Sequence, residues 1–376
     1  MLDKEKIMIL CKVVDNFGDI GAAFRLAKAL SALRENLRLT LVVSDLAAFH
    51  AMAKEIDPEK ALQTFRYKSS LWKVSRWDNP LDESEIPDII LECFQCGRPE
   101  WLENALFSDA FTRTVQIINI DYLTAEDYAE EFHLLKSGTR KSGIKKIFFM
   151  PGFTGKTGGL ITNDAGMSAK VSKLIQSDAR SDFRILFFAY EGDCSPIVRA
   201  LDDFQETMRK KRGGFSLSVF LAAGKSQGPF LEAWEKSGRS FRTERIPFLE
   251  QDDFDSLIMR MDFLFVRGED SLARAALSSI PFVWQAYRQD ENYQLVKVDA
   301  LLERMRVFFD DGTFAPIRAF WRSYNDSESE TKSGELSRML VASAEGKDRK
   351  GFADFSEALR GNGNLAEHLL AFIGKL

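Results

Sequence analysis

The sequence predicts an α/β protein built on two mainly parallel sheets. Three observations predict it. Short apolar runs alternate with amphipathic helical stretches, the pattern of strand–helix–strand units. The length, 376 residues, exceeds what one core organises and suits two domains. The alternation also occurs twice, interrupted by the glycine-rich stretch PGFTGKTGGL (151–160) and a polar, loosely helical stretch running to about residue 182.

In the first half, strands are expected near 7–14, 38–44, 88–93, 114–120 and 146–150. The helix after the first strand places Ala23, Leu26, Ala27, Leu30 and Leu33 on one apolar face by their i, i+3, i+4, i+7 spacing. The second half opens with FRILFFAYE (183–191) and continues through FSLSVFLAAG (215–224), DFLFVRGED (262–270) and PFVWQ (281–285). A helical pattern covers 290–309, and the tail from 351 is helical as well. The charged run SESETKSGELSR (327–338) reads as a solvated loop or helix start. The expected domains are residues 1–182 together with 360–376, and residues 183–359. Two such sheets facing one another would form a cleft, with the ligand-binding carboxyl ends of the strands on its walls.

Composition narrows the function. Hydrophobic residues make up 45% and charged residues 28%, as in soluble globular proteins. A net charge of −5 gives no global basic footprint for nucleic acid. No apolar run reaches the ~18 residues that span a membrane, and MLDKEKIMIL lacks a signal peptide's apolar core, so a cytoplasmic protein is expected. Cys11 falls inside the first strand as a small buried hydrophobe. Cys93 and Cys96 form a C-x-x-C, but His50, His133 and His368 are isolated and supply no complementary ligand pair, so no metal is expected. The 31 phenylalanines must mostly pack cores.

The first candidate site is VVDNFGDIG (13–21), where a strand gives way to a helix. Gly18 and Gly21 permit close backbone approach, and a helix N-terminus favours an anion. Yet Asp15 and Asn16 precede Gly18, and Asp19 follows it. Two aspartates four apart would repel a phosphate. Either they cap the turn and the helix, or one is a general base beside a cationic partner. Asp45, near the second strand's end, superficially suits the ribose acid of a dinucleotide site, but the full G-x-G-x-x-G is missing. The second site is VRGEDS (266–271). Glu269, Asp270 and Ser271 open a helix and are ordinary capping residues, while Arg267 beside that helix N-terminus suits a pyrophosphate. Tyr190 ends the FFAYE strand and would face the same cleft. The loop 151–159 has small residues but not the Walker spacing.

These stretches, in this order, resemble the arginine rhamnosyltransferases that mature elongation factor P. The resemblance rests on VVDNFGDIGAAFRLA (13–27), INIDYLTAEDY (118–128), FFMPGFTGKTGGL (148–160), FFAYE (187–191), IPFLEQDDFD (246–255) and FLFVRGEDSLARAALSSIPFVWQAY (263–287), and it spans essentially the whole chain. It implies the GT-B architecture: two Rossmann-like domains facing across a cleft, the second holding TDP-β-L-rhamnose and the first receiving the protein acceptor. It implies inverting transfer of rhamnose to an arginine of elongation factor P, activating that factor for rescue of polyproline-stalled ribosomes. Asp15, Asp19 and Glu269 match essential residues of the family, and Tyr190, Arg267, Asp270 and Ser271 match donor contacts. Asn16, Gly18 and Phe248, the last as a stacking face for thymine, complete the expected donor contacts. No cofactor or metal is implied, and a monomer is expected. Gln285 stands where the family often has His, and Met150 and Lys156 lie in a variable loop; these departures are expected at the periphery of the donor site. A GT-B enzyme with another nucleotide sugar or acceptor is the alternative.

The resemblance gives the two aspartates a purpose. The acceptor is a guanidinium with a pKa above roughly 12, and carboxylates hold such a cation. An aspartate with a reference pKa of about 3.9 cannot deprotonate it outright, because a gap of at least ~8 units costs roughly 11 kcal/mol. Proton removal must therefore accompany attack on the anomeric carbon. Asp19 is expected to be the base, and Asp15 its orienting and electrostatic partner. Arg267 and the helix end at Ser271 would neutralise the departing TDP.

Overall fold

A computed structural model of the protein describes residues 2–14, 17–162, 169–176 and 183–376, with backbone alone at 174–176. The chain divides into two compact units, Met1–Asn163 with Arg360–Leu376, and Asp164–Leu359.

The first unit begins with β1 (Lys6–Cys11), α1 (Gly18–Leu33), β2 (Arg38–Val43), α2 (Leu46–Met52), β3 (Leu62–Tyr67) and β4 (Ser70–Arg76). It continues with β5 (Ile89–Cys93), α3 (Glu100–Phe107), β6 (Val115–Ile120), α4 (Tyr128–Phe132), β7 (Lys136–Ser137) and β8 (Ile144–Phe149). The eight strands lie in the order β3-β4-β2-β1-β5-β6-β8-β7. The interior pairings are parallel, and the two edge strands, β3 and β7, run antiparallel to their neighbours. β1 is a continuous apolar run because both faces of the sheet are covered. Its Ile7, Ile9 and Cys11 enter one core and its Met8 and Leu10 the other. The first core is aromatic: Phe24 lies 5.1 Å from Phe49 and 6.0 Å from Phe65, and Phe65 lies 5.3 Å from Trp72, centroid to centroid. Of the predicted face of α1, all but Leu33 are buried; Leu33, in the last turn, is exposed.

The second unit holds α5 (Ala169–Gln176), β9 (Phe183–Phe187), α6 (Ser195–Arg212), β10 (Leu217–Leu221), α7 (Gln227–Lys236), β11 (Arg242–Arg245) and α8 (Gln251–Ile258). Then come β12 (Phe263–Arg267), α9 (Glu269–Leu277), β13 (Phe282–Gln285), α10 (Gln294–Arg306), α11 (Asp311–Asn325), α12 (Ser333–Ala344) and α13 (Arg349–Gly361). Its five strands are all parallel, in the order β11-β10-β9-β12-β13. The last helix, α14 (Leu365–Lys375), belongs to the first unit, where Leu365, Ala366, Leu369 and Ile373 join the aromatic core.

One boundary differs from expectation. Sequence pattern places α5 in the first domain, whereas it groups with the second unit. Two polar contacts hold α5 there: Lys170 pairs with Asp253 at 3.1 Å, and Arg260 donates to the Ser172 hydroxyl at 3.0 Å. Four strands lie outside the expected set. β3 and β4 meet at a turn containing Lys68 with φ 51°, which carries no Asn-Gly signature. β7 has two residues, and β11, Arg-Thr-Glu-Arg at a sheet edge, contains no apolar residue.

The glycines of 151–160 serve packing. A Cβ on Gly158 would meet the Phe149 ring at 2.6 Å and Leu365 Cδ1 at 2.7 Å. The loop is pinned by Gly158 N–H to the Met150 carbonyl and by Asn362 Nδ2 to the Phe153 carbonyl. Among the described residues no helix is long and apolar enough to cross a membrane.

Candidate active site

Each sheet grows outward on both sides of its first strand. In the first unit the chain leaves β1 towards β2 on one side and later adds β5 on the other, so the loops after β1 and β5 diverge and open a crevice at the strand ends. In the second unit the reversal falls between β9 and β12.

The crevice of the first unit holds Asp19. It sits in the first turn of α1, where the helix dipole favours a negative charge, and is 2% exposed. Its Oδ2 accepts the Val14 N–H at 2.7 Å, and its Oδ1 accepts the Tyr122 hydroxyl at 3.0 Å. The carboxylate is therefore tied to the preceding loop and to a second strand end. Gly18 begins the helix beside it. Asp15 and Asn16 lie outside the described residues.

Tyr122 is held in turn. It follows β6, and its ring stacks on Phe94 at 4.5 Å with an 18° tilt. Phe94 and Gln95, directly after β5, both adopt left-handed backbone at φ 59° and 51°. Such conformations cost of order 1–3 kcal/mol each in residues with a side chain. Here they bring the Phe94 ring onto Tyr122 and the Gln95 amide onto Asp121 Oδ2 at 2.8 Å. The stretch INIDYLTAEDY (118–128) by itself gives Tyr122 no role. Its place two residues beyond a buried strand was legible; its contact with a residue 103 positions away was not.

Behind the crevice lie Cys11, Cys93 and Cys96, all free thiols. Burial, and then the Asp19 charge, pushes the Cys11 thiol up. Burial carries Cys96 up to about 11. These are protonated packing groups and poor nucleophiles. Asp45 accepts the Ala48 N–H at 2.9 Å as the N-cap of α2, so its carboxylate is engaged at a helix start.

The second unit presents the opposite charge. Arg267 ends β12, and its guanidinium carbon lies 4.7 Å from the Phe188 ring centre and 4.6 Å from that of Tyr190. Among the described residues no carboxylate pairs with it. Gly268 follows as the N-cap of α9 at φ 69° and ψ 172°, a conformation essentially reserved for glycine. The capping expected of Glu269, Asp270 and Ser271 is thus not how this helix begins: the cap has no side chain, and these three residues fill the first turn. Their N–H groups have no intrahelical acceptor. Asp270 Oδ2 accepts from Gln251 Nε2 at 3.3 Å, tying the starts of α8 and α9.

Gln285 and Trp284 brace this edge. Gln285 Oε1 accepts the Tyr190 N–H at 2.7 Å, and Trp284 Nε1 donates to the Gly268 carbonyl at 3.1 Å. The departure at Gln285 therefore bears on the loop that carries Tyr190. The other two departures lie in the first unit, where Met150 is buried and Lys156 pairs with Glu130 at 3.1 Å. Tyr287, absent from the expected contacts, is 58% exposed and meets the Tyr190 ring at 5.5 Å. Phe248, on the loop between β11 and α8, is exposed; its ring is not among the aromatic contacts of Arg267.

Two parallel-sheet units, each with polar groups at its strand reversal, have the GT-B fold found in glycosyltransferases. The fold recurs over 98% of this chain and 99% of a chain solved for EarP-mediated arginine glycosylation of translation elongation factor EF-P, with TM-score 0.59 at 21% identity. It also recurs in UGT89C1 of Arabidopsis thaliana, solved with UDP-L-rhamnose, over 98% of both chains with TM-score 0.56 at 12% identity. Residues 7–374 match the family described as elongation-factor P (EF-P) rhamnosyltransferase EarP. A protein-arginine rhamnosyltransferase of Pseudomonas putida is 32% identical over 347 residues, covering 84% of this chain and 86% of that protein. One from Neisseria meningitidis serogroup B is 30% identical over 390 residues, covering 98% and 96%. The chain belongs to the EarP family and is an enzyme of the protein-arginine rhamnosyltransferase type.

Proposed function

We propose that this enzyme transfers L-rhamnose from TDP-β-L-rhamnose to an arginine side chain of elongation factor P, with inversion at the anomeric carbon, and so activates the factor for rescue of polyproline-stalled ribosomes. The observation that carries the reading is the opposite charge of the two strand-reversal sites, carboxylate Asp19 in one unit and guanidinium Arg267 in the other. A cationic acceptor suits the first, and a nucleoside diphosphate suits the second.

In this mechanism an arginine Nη attacks the anomeric carbon as the C–O bond to TDP breaks. The electron pair of that bond leaves with the diphosphate. The nitrogen becomes acidic only as its new bond forms, and the proton passes to Asp19, whose orientation the Val14 N–H and Tyr122 hydroxyl fix. Asp15 is the proposed electrostatic partner, and Glu269 the acid nearest the sugar. Arg267 and the glycine-capped start of α9 receive the charge developing on TDP. A guanidinium and a helix terminus supply this stabilisation from the chain itself, and we propose no metal or cofactor. Tyr190, Asp270, Ser271, Gly18, Asn16 and, by stacking on thymine, Phe248 are the proposed donor contacts.

The test is the intact mass of elongation factor P after incubation with this enzyme and TDP-L-rhamnose. A gain of one deoxyhexose, mapped by fragmentation to arginine, is expected. TDP binding without mass gain would point to another sugar or acceptor.

A further inference from the structure

We propose that Glu92 is a positioning residue for transfer: buried near the end of β5, it fixes the turn that sets Tyr122 and, through Tyr122, the aim of the Asp19 carboxylate. The proposal deepens the functional reading above and rests on it, since Asp19 is there the group that takes the proton.

Glu92 is 2% exposed, and both its oxygens meet donors of the chain. Its Oε1 accepts the Gly97 N–H at 3.2 Å and Lys146 Nζ at 3.1 Å, and its Oε2 accepts Arg98 Nη1 at 2.8 Å. Arg98 and Lys146 are themselves mostly buried. Arg98 reaches onward through Nε to Glu103 of α3 at 2.6 Å. Burying such ion pairs costs about as much as their attraction returns, and a well-packed apolar group would hold a core as firmly. An apolar group could not grip a backbone N–H. Gly97 lies in the loop after β5, and Arg98 follows it directly, so Glu92 holds the far end of that loop from inside the strand.

The loop needs such a hold. Phe94, Gln95 and Gly97 have left-handed backbone, with φ of 59°, 51° and 70°. Residues that carry a Cβ avoid this region unless they are restrained. The Phe94 N–H donates to the Ile120 carbonyl at 2.7 Å and the Cys96 N–H to the Cys93 carbonyl at 3.1 Å, which fixes the start of the turn. The bond from Gly97 to Glu92 fixes its end. The C-x-x-C spacing thus spans a turn, with Cys93 in one core and Cys96 packed against the other. Held this way, the turn lays the Phe94 ring on Tyr122 and the Gln95 amide on Asp121. The Tyr122 hydroxyl then donates to Asp19. Contacts therefore run without a break from Glu92 to the proposed base. A catalytic group displaced by about an ångström can lose roughly 10²-fold in rate, so this chain of contacts bears on turnover more than on stability.

The experiment measures steady-state transfer to elongation factor P for Glu92→Gln and Gly97→Ala, each alone and combined with Tyr122→Phe. Thermal melts and the stoichiometry of TDP binding count the folded enzyme. Glu92→Gln keeps the size of the side chain and removes its charge. In Gly97→Ala the added Cβ meets nothing within 4 Å, so the variant acts only through the left-handed φ. The expected result is a kcat lower by roughly tenfold for Glu92→Gln and by less for Gly97→Ala, with TDP affinity and the KM for elongation factor P unchanged. In the Tyr122→Phe background each loss should shrink below about twofold, because residues acting in one chain of contacts are not additive. A merely structural Glu92 gives equal losses in both backgrounds, which overturns the proposal. Unchanged kcat in the single variants overturns it as well, as does a Tyr122→Phe enzyme with wild-type kcat. If Glu92→Gln does not fold, Gly97→Ala decides by the same two comparisons. If wild type does not modify elongation factor P, or Asp19→Asn keeps its turnover, the functional reading fails and the positioning role with it. Transfer that Asp19→Asn abolishes and the Glu92 and Gly97 variants leave intact removes the positioning role alone.

Discussion

The two units use one topological device for opposite electrostatic ends. In the first, the crevice at the reversal between β1 and β5 is filled with hydrogen-bond acceptors and aromatic rings, and its central group is the buried Asp19. In the second, the reversal between β9 and β12 ends in Arg267, a glycine cap and the start of α9. The strand order places a site at the strand ends where each sheet reverses; the residues immediately after the strands decide its sign. A carboxylate clamped by two donors selects a cation, whereas a guanidinium lying on two aromatic faces keeps its N–H edge available to a diphosphate.

The largest expected effect comes from breaking the acidic side. Asp19→Asn keeps the shape: the amide oxygen can still accept from Val14, and the amide nitrogen can donate to the Tyr122 oxygen. Transfer should fall by roughly 10²–10⁴, the range for a lost general base, while TDP affinity stays near wild type. Near-normal turnover in steady-state assays would reduce Asp19 to a loop staple. Breaking the basic side should show in binding first. Arg267→Ala removes the cation at α9, and TDP affinity by calorimetry should drop by roughly ten- to a hundredfold, as for a lost charge-assisted hydrogen bond worth about 1.5–3 kcal/mol. Unchanged affinity would take Arg267 out of the donor site.

A finer cut sharpens the comparison within the first unit. Tyr122→Phe keeps the ring on Phe94 and deletes only the hydroxyl that Asp19 accepts. The expected outcome is a loss of about tenfold in kcat with unaltered TDP binding, corresponding to roughly 1.4 kcal/mol. An unchanged kcat would show that the Tyr122 hydroxyl does not align the carboxylate.

The smallest effect concerns pH. His133 Nδ1 accepts the Met150 N–H at 3.1 Å, and burial, followed by His368, lowers its pKa to about 4 from 6.5. The unfolded chain therefore binds more protons between those values, so stability falls as pH drops from about 6.5 towards 4. Asp348 opposes this, because burial raises its carboxyl to about 6 and its protonation favours the folded state over part of the same range. Melting curves at pH 7 and pH 5 should show a smaller acid-induced drop in Tm for His133→Asn than for wild type. An equal drop would remove His133 from the balance.

The sequence by itself determined a good deal of this protein. Continuous apolar runs such as KIMILC and FLFV marked central parallel strands, since strands covered on both faces need no polar alternation. Acids and glycines directly after those strands marked both sites, because strand ends are where such folds bind ligands. Short or half-exposed strands were illegible. β11 has no apolar residue, β7 has two residues, and the β3–β4 turn uses Lys68 where a glycine or asparagine would have signalled it. The tertiary structure alone decided which distant residues meet. Tyr122 reaches Asp19, Gln285 holds the Tyr190 backbone, and α5 joins the second unit through Asp253 and Arg260. Periodicity records which face of an element is buried. The partner across a sheet edge depends on strand order and register, and local residue pattern encodes neither.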